Sequence, residues 1–135
     1  METKEVSSLE DDSSYFDAQA YWGVTKHMGG VDATDELATL CHIGKDQIIL
    51  EVGCGTGVST CHLVKRYGCQ VIGVDLSDKM IEWSRKRARR KSIGHKIQFR
   101  VADAQNLPFD DHFFDAVICE SVTTFPEDKQ RAVSE

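Results

Sequence analysis

Along the chain, short unbroken apolar runs alternate with stretches in which apolar residues recur every three or four positions. The runs at residues 47–52 (QIILEV), 70–75 (QVIGVD), 96–101 (KIQFRV) and 114–119 (FDAVIC) read as strands. Residues 56–67 read as a helix closed by Gly68. Ser77 caps a second helix running to about Lys91, with Met80, Ile81 and Ser84 facing inward. An earlier helix takes Asp32 or Thr34 as its cap and runs to about His42, with Leu37, Leu40 and Cys41 on one face, until Gly44 stops it. Strands alternating with helices imply right-handed crossovers. The expected fold class is therefore α/β, a mostly parallel sheet with helices on both faces.

The flanking segments differ in character. Residues 1–14 hold Glu2, Glu5, Glu10, Asp11 and Asp12 with little to bury, and read as a flexible acidic tail. Residues 15–45 read as an N-terminal helical cap, dense in aromatics at its start and broken by Gly29-Gly30; residues 46–135 carry the strand–helix rhythm. A chain of 135 residues suffices for one domain with one core. The net charge of −6 makes nucleic acid an unlikely partner. No window reaches the ~18 apolar residues of a membrane-spanning helix, and Met1-Glu-Thr-Lys-Glu lacks the apolar stretch of a secretory signal, so neither is expected. The five cysteines are odd in number. Even with the dipeptides Cys41-His42 and Cys61-His62 they match no zinc spacing, so no metal site is expected and reduced thiols fit a cytoplasmic protein. The run Arg85-Lys-Arg-Ala-Arg-Arg-Lys91 holds six of the sixteen basic residues. It reads as the solvated face and carboxyl end of its helix, with contact to RNA or an anionic membrane as the alternative.

The chemistry concentrates at strand ends. Glu51-Val-Gly53-Cys-Gly55-Thr-Gly57 follows one strand and opens a helix. Glycines there let the backbone turn sharply and let a ligand approach, and the helix start offers free N–H groups. The spacing G-x-G-x-G, with Val58 in the slot of the last glycine of G-x-G-x-x-G, and an acid at Glu51 disfavour a nicotinamide-dependent oxidoreductase. Asp75 ends the next strand, where a carboxylate can accept from ribose hydroxyls. Asp103 ends the third, followed by small Ala104. Each has a plainer reading: Asp75 as turn chemistry, Asp103 as the start of a loop, Glu120 as a solvated strand terminus.

These segments resemble the class I S-adenosylmethionine-dependent methyltransferases, and within them the small-molecule and lipid branch called type 11. Residues 49–57 (ILEVGCGTG) are similar to the first motif of that family, residues 71–77 (VIGVDLS) to the second-strand motif, and residues 101–109 (VADAQNLPF) with 114–119 to the third and fourth. The resemblance covers about residues 35–135. It implies a Rossmann-like sheet, S-adenosyl-L-methionine as cofactor and S-adenosyl-L-homocysteine as product. Gly53, Gly55 and Gly57 would pass beneath the methionine part, with Glu51 toward its ammonium group. Asp75 would hold the ribose hydroxyls, Leu76 and Met80 would flank the adenine, and Asp103 and the Ala104 N–H would read the base. Glu120 and Ser121 would border the sulfonium and the acceptor.

The resemblance also implies that Tyr15, Tyr21, Trp22 and Ser121 lie on the side of the acceptor. The absence of Asn-Pro-Pro-Tyr after the fourth strand favours a small metabolite or lipid headgroup there. Transfer is an in-line displacement that needs chiefly positioning; His27, His112 and Glu120 are the candidate bases. The sequence departs from the family in one respect. The family sheet has seven strands in the order 3-2-1-4-5-7-6, and four are recognisable in this chain. The chain is thus expected to be a fragment of a longer methyltransferase, with the C-terminal strands missing and self-association through the edge of the fourth strand. The competing reading is a cofactor-binding or interaction module without turnover of its own.

Overall fold

A computed structural model describes residues 18, 19, 21–23, 29–120 and 126–135. The acidic tail, Tyr15, His27 and Ser121 lie outside the described residues. In chain order the elements are α1 (Gly30–Leu40), β1 (Ile48–Val52), α2 (Val58–Tyr67), β2 (Gln70–Asp75), α3 (Asp78–Arg90), a 3₁₀ turn (Gly94–Lys96), β3 (Ile97–Val101), β4 (Ala116–Cys119) and α4 (Lys129–Ser134). The strands form one sheet in the order β3-β2-β1-β4. Every adjacent pair is parallel, with Ile49 opposite both Val71 and Ala116.

Because side chains alternate along a strand, the sheet splits its apolar residues between two layers. Ile49, Val71, Ile97, Phe99 and Ile118 point to one face, where Ala38 of α1, Cys61, Leu63 and Val64 of α2, and Ile81 and Ala88 of α3 complete the main core. Leu50, Val52, Ile72 and Val74 point to the other. There the cover is mostly the connection from β3 to β4, through Leu107, Phe109 and Phe114. The Phe109 and Phe114 rings meet edge to face at 5.0 Å. Helix α4 borders this second face: Ala132 and Val133 share with Leu50 and Val52 the lining of a cavity of about 650 Å³.

Helices α2 and α3 begin and end close to their sequence signals. The Ser77 hydroxyl accepts from the Met80 N–H, and Met80, Ile81 and Ser84 are buried as expected. Helix α1 ends near His42 as expected, but departs from expectation in its cap and in the residue that closes it. Its cap is Gly29 in the left-handed region (φ 83°), not Asp32 or Thr34. A Cβ at Gly29 would stand 2.7 Å from that of Ala33, so only glycine fits. The helix stops not at Gly44 but at His42 (φ 53°), with His42 N–H bonded to Thr39 O and Ile43 N–H to Ala38 O, a Schellman closure. The buried face is also different. Thr34 and Ala38 are buried, with Leu37 packed beside them, whereas Leu40 and Cys41 are exposed.

Candidate cofactor and active site

The carboxyl ends of the four strands place Asp103, Asp75, the glycine turn and Glu120 along one edge, in the order of the sheet. The chain runs β1, β2, β3 in one direction and then returns to place β4 on the opposite side of β1. The reversal at β1 opens a crevice of the type in which parallel α/β sheets bind ligands.

The glycine turn is built from distant contacts. Gly53, Gly55 and Gly57 all have positive φ (73°, 55° and 80°), and the Gly53 and Cys54 N–H groups both donate to Val74 O. The Gly55 N–H donates to Asp75 Oδ2 at 2.9 Å, Ser84 Oγ donates to Gly55 O at 2.7 Å, and Arg87 Nε donates to Thr56 O at 2.9 Å. Ser84 and Arg87 therefore hold the turn from α3, a role that sequence reading missed. The available signal was Ser84 itself, a small polar residue on the inward face of an otherwise apolar helix side. Within the basic run, Arg87 is engaged this way and Arg85 donates to Phe99 O on the edge strand β3, while Lys86 pairs with Glu82 on the surface. The reading of that run as the solvated face and carboxyl end of its helix thus holds only in part.

Asp75 spans the turn and the next helix. Its Oδ1 accepts from the Ser77 N–H at 3.0 Å while Oδ2 holds Gly55. Each carboxylate oxygen carries two lone pairs, so both retain capacity for ligand hydroxyls. Leu76 beside it is 72% exposed, an apolar side chain left open at the crevice. Met80 is buried, so any contact with a base would be made from behind that surface. Asp103 is exposed, with Oδ1 accepting from the Gln105 N–H in a local turn, and Ala104 packs on the second-face core.

Glu51 is 3% exposed and points to the helix face. Its carboxylate accepts from the Ser59 and Thr60 hydroxyls in the first turn of α2. A carboxylate beneath a helix start is favoured by the helix dipole, and burial of its charge requires such partners. Opposite it in the register stands Gly73, where a Cβ would meet the Phe99 ring at 2.9 Å. Burial, then the Glu51 and Asp75 charges, push the Cys54 thiol up, well above its ordinary range, so it is no nucleophile.

Glu120 follows β4 and accepts from Thr34 Oγ1 at 2.8 Å. His112 lies elsewhere, exposed on the β3–β4 connection (φ 60°) at the wall of the second-face cavity. Tyr21 and Trp22 are exposed and meet edge to face at 5.4 Å. Gly23 after them lies against the Trp83 ring of α3. Among the described residues no cluster of His, Cys, Asp and Glu could hold a metal ion, and no helix is long and apolar enough to cross a membrane.

The decisive match is to the family profile described as Methyltransferase domain, which covers residues 49–135, the span of the turn and all three acidic strand ends. The chain belongs to the S-adenosylmethionine-dependent methyltransferases. This methyltransferase chain is 34% identical over 103 residues to phosphoethanolamine N-methyltransferase 1 of Zea mays, covering 75% of the chain and 20% of that protein. It is 33% identical over 111 residues to the O-methyltransferase cnsE of Penicillium expansum, covering 82% and 40%. A solved relative is geranyl diphosphate C-methyltransferase from Streptomyces coelicolor A3(2), in complex with Mg²⁺, geranyl diphosphate and S-adenosyl-L-homocysteine. It matches at 28% identity with a TM-score of 0.60, over 67% of this chain and 34% of that one. The chain thus spans less than half the length of the relatives it matches.

Proposed function

We propose that the protein transfers a methyl group from S-adenosyl-L-methionine to a small-molecule or lipid-like acceptor. The observation that carries this reading is the Asp75 carboxylate, fixed to the glycine turn through Gly55 and flanked by exposed Leu76. That set fits an adenosyl ligand: lone pairs for a ribose diol, an apolar side chain for a base, and a turn whose positive-φ glycines bring bare backbone to the ligand. The cofactor supplies a methyl group on a sulfonium that is already a good leaving group.

The work left to the chain is to bind, orient and exclude water. Asp75 takes the ribose, Leu76 covers the base with Met80 behind it, and Asp103 with the Ala104 N–H reads its edge. Gly53, Gly55 and Gly57 pass under the amino-acid part. Glu51 shapes this floor by anchoring the start of α2, and its charge stands on the side of the ammonium group. Glu120 provides the negative wall next to β1 and is the base best placed to take an acceptor proton. Tyr21 and Trp22 supply exposed aromatic surface for the acceptor. The maize, Penicillium and Streptomyces relatives methylate nitrogen, oxygen and carbon respectively, so likeness to them supports a class of acceptor and no single atom. The acidic charge balance supports a small acceptor over a nucleic acid, and the odd cysteine count supports a cytoplasmic site of action.

Calorimetric titration with S-adenosyl-L-homocysteine tests the reading. Binding by the wild-type chain that Asp75→Ala abolishes is expected. A folded wild-type protein that binds no S-adenosyl-L-homocysteine would refute it.

A further inference from the structure

We propose that Thr34 is a positioning residue: its hydroxyl fixes the Glu120 carboxylate as the negative wall of the crevice, and so sets the preference of the site for a positively charged ligand group. This rests on the reading of the crevice as an S-adenosylmethionine site.

Thr34 is fully buried on α1, 86 residues before its partner. Threonine is a poor choice for a helix on propensity alone, because its branched Cβ loses rotamer freedom. A buried hydroxyl in a helix ordinarily turns back to the carbonyl four residues earlier. Here that carbonyl, Gly30 O, lies at 3.5 Å, whereas Glu120 Oε1 lies at 2.8 Å. A hydroxyl has one proton to give, and the shorter bond is to the carboxylate. A hydrogen bond to a charged acceptor is also about twice as strong as a neutral one.

The donor has a firm seat. The adjacent Asp35 is held by α2: its Oδ1 accepts from Tyr67 Oη at 2.7 Å and His62 Nε2 at 2.8 Å, with Arg66 Nε at 3.4 Å. Two consecutive residues of α1 therefore bond in different directions, one outward to α2 and one inward to the end of β4. With α1 anchored, the Thr34 hydroxyl stands as a fixed point, and Glu120, one residue beyond a strand, is oriented by it. The β4 end lies next to β1, where the order of the strands reverses, so the carboxylate belongs to the crevice wall.

Two ligands separate this role from simple packing. S-adenosyl-L-homocysteine carries a neutral thioether; sinefungin carries a protonated amine at the corresponding place. Calorimetry of both with wild type, Thr34→Val, Thr34→Ser and Glu120→Gln gives a preference ratio for each protein. Wild type is expected to favour sinefungin. Thr34→Val, equal in shape but without the proton, is expected to lower the ratio about tenfold or more, the scale of one hydrogen bond to a charge. Its affinity for S-adenosyl-L-homocysteine should stay within about twofold, since the adenosyl contacts remain. Thr34→Ser should keep the ratio and Glu120→Gln should lower it at least as far as Thr34→Val. Should Thr34→Val not fold by circular dichroism, Thr34→Ala removes the same proton without adding an apolar contact. A ratio unchanged when the hydroxyl is removed, with homocysteine-ligand binding intact, would overturn the proposal and leave the cofactor site standing. Failure of wild type to bind either ligand would overturn the cofactor reading beneath it.

Discussion

Gly57→Ala isolates the packing of the glycine turn. Gly57 sits at φ 80°, and a Cβ there would lie 3.0 Å from Ser84 Cβ, 3.0 Å from Ser84 Oγ and 3.1 Å from Ser84 Cα. Two costs add. Holding alanine in the left-handed region costs about 1–2 kcal/mol. Pressing a methyl group onto a buried helix side chain costs about 1–2 kcal/mol more when the neighbour gives by a few tenths of an ångström. The sum, about 2–4 kcal/mol, is a large part of the ~5–15 kcal/mol that holds a domain of this kind together. With a urea slope of about 1.5–2 kcal/mol per molar, the midpoint should fall by roughly 1–2.5 M. Gly30→Ala is the internal control, because Gly30 also has positive φ (58°) but a Cβ there meets nothing within 4 Å. It should show only the strain. The collision also pushes on the Ser84 hydroxyl that holds Gly55 O. Gly57→Ala should therefore weaken S-adenosyl-L-homocysteine binding as well, whereas Gly30→Ala should not. Equal urea midpoints for the two variants would refute the argument, since the contact with Ser84 would then carry no energy.

Two further predictions concern the outer parts of the fold. The Tyr67 hydroxyl, then His62, hold the Asp35 carboxyl below its ordinary value. A folded-state value lower than the unfolded one means that the stabilisation is complete above the ordinary carboxylate range and is lost as pH falls through the lowered value. Asp35→Asn should therefore lower the urea midpoint at neutral pH. The gap to wild type should close in strong acid, and a gap that stays constant with pH would contradict the assignment. At the other side of the sheet, β4 pairs only with β1 among the described residues, and Val117 is 56% exposed. Val117→Lys places a charge on that strand and should reduce concentration-dependent association in sedimentation velocity. Unchanged sedimentation would show that this strand is not a contact.

The strands were legible because buried parallel strands are near-continuous apolar runs, and the glycines and Ser77 mark where they hand over to helices. The same local signals misplaced α1. Asp32 and Thr34 are good caps by type, but Gly29 can take a backbone angle they cannot, and Thr34 is drawn inward by a residue 86 positions away. No local pattern carries that information. The acids at the strand ends could be located from their spacing. That Glu51 is spoken for by Ser59 and Thr60, while Asp75 opens to the crevice edge, follows from strand alternation and from which helix lands on which face. The apolar cover formed by Leu107, Phe109 and Phe114 also escaped a reading by periodicity, because a connection that folds on itself has no period to read.

The partners of the glycine turn have a consequence for the order in which the molecule is made. Gly55 N–H finds its acceptor 20 residues further on, Gly55 O its donor 29 residues on, and Thr56 O its donor 31 residues on. A nascent chain that ends before Asp75 therefore carries the motif without any of these partners, and one that ends before Arg87 still lacks the last of them. Contacts of such sequence separation form late, after the loop they close has been ordered. The shape of the turn is then complete only when α3 packs on the sheet, after at least some thirty further residues have been added beyond the glycines.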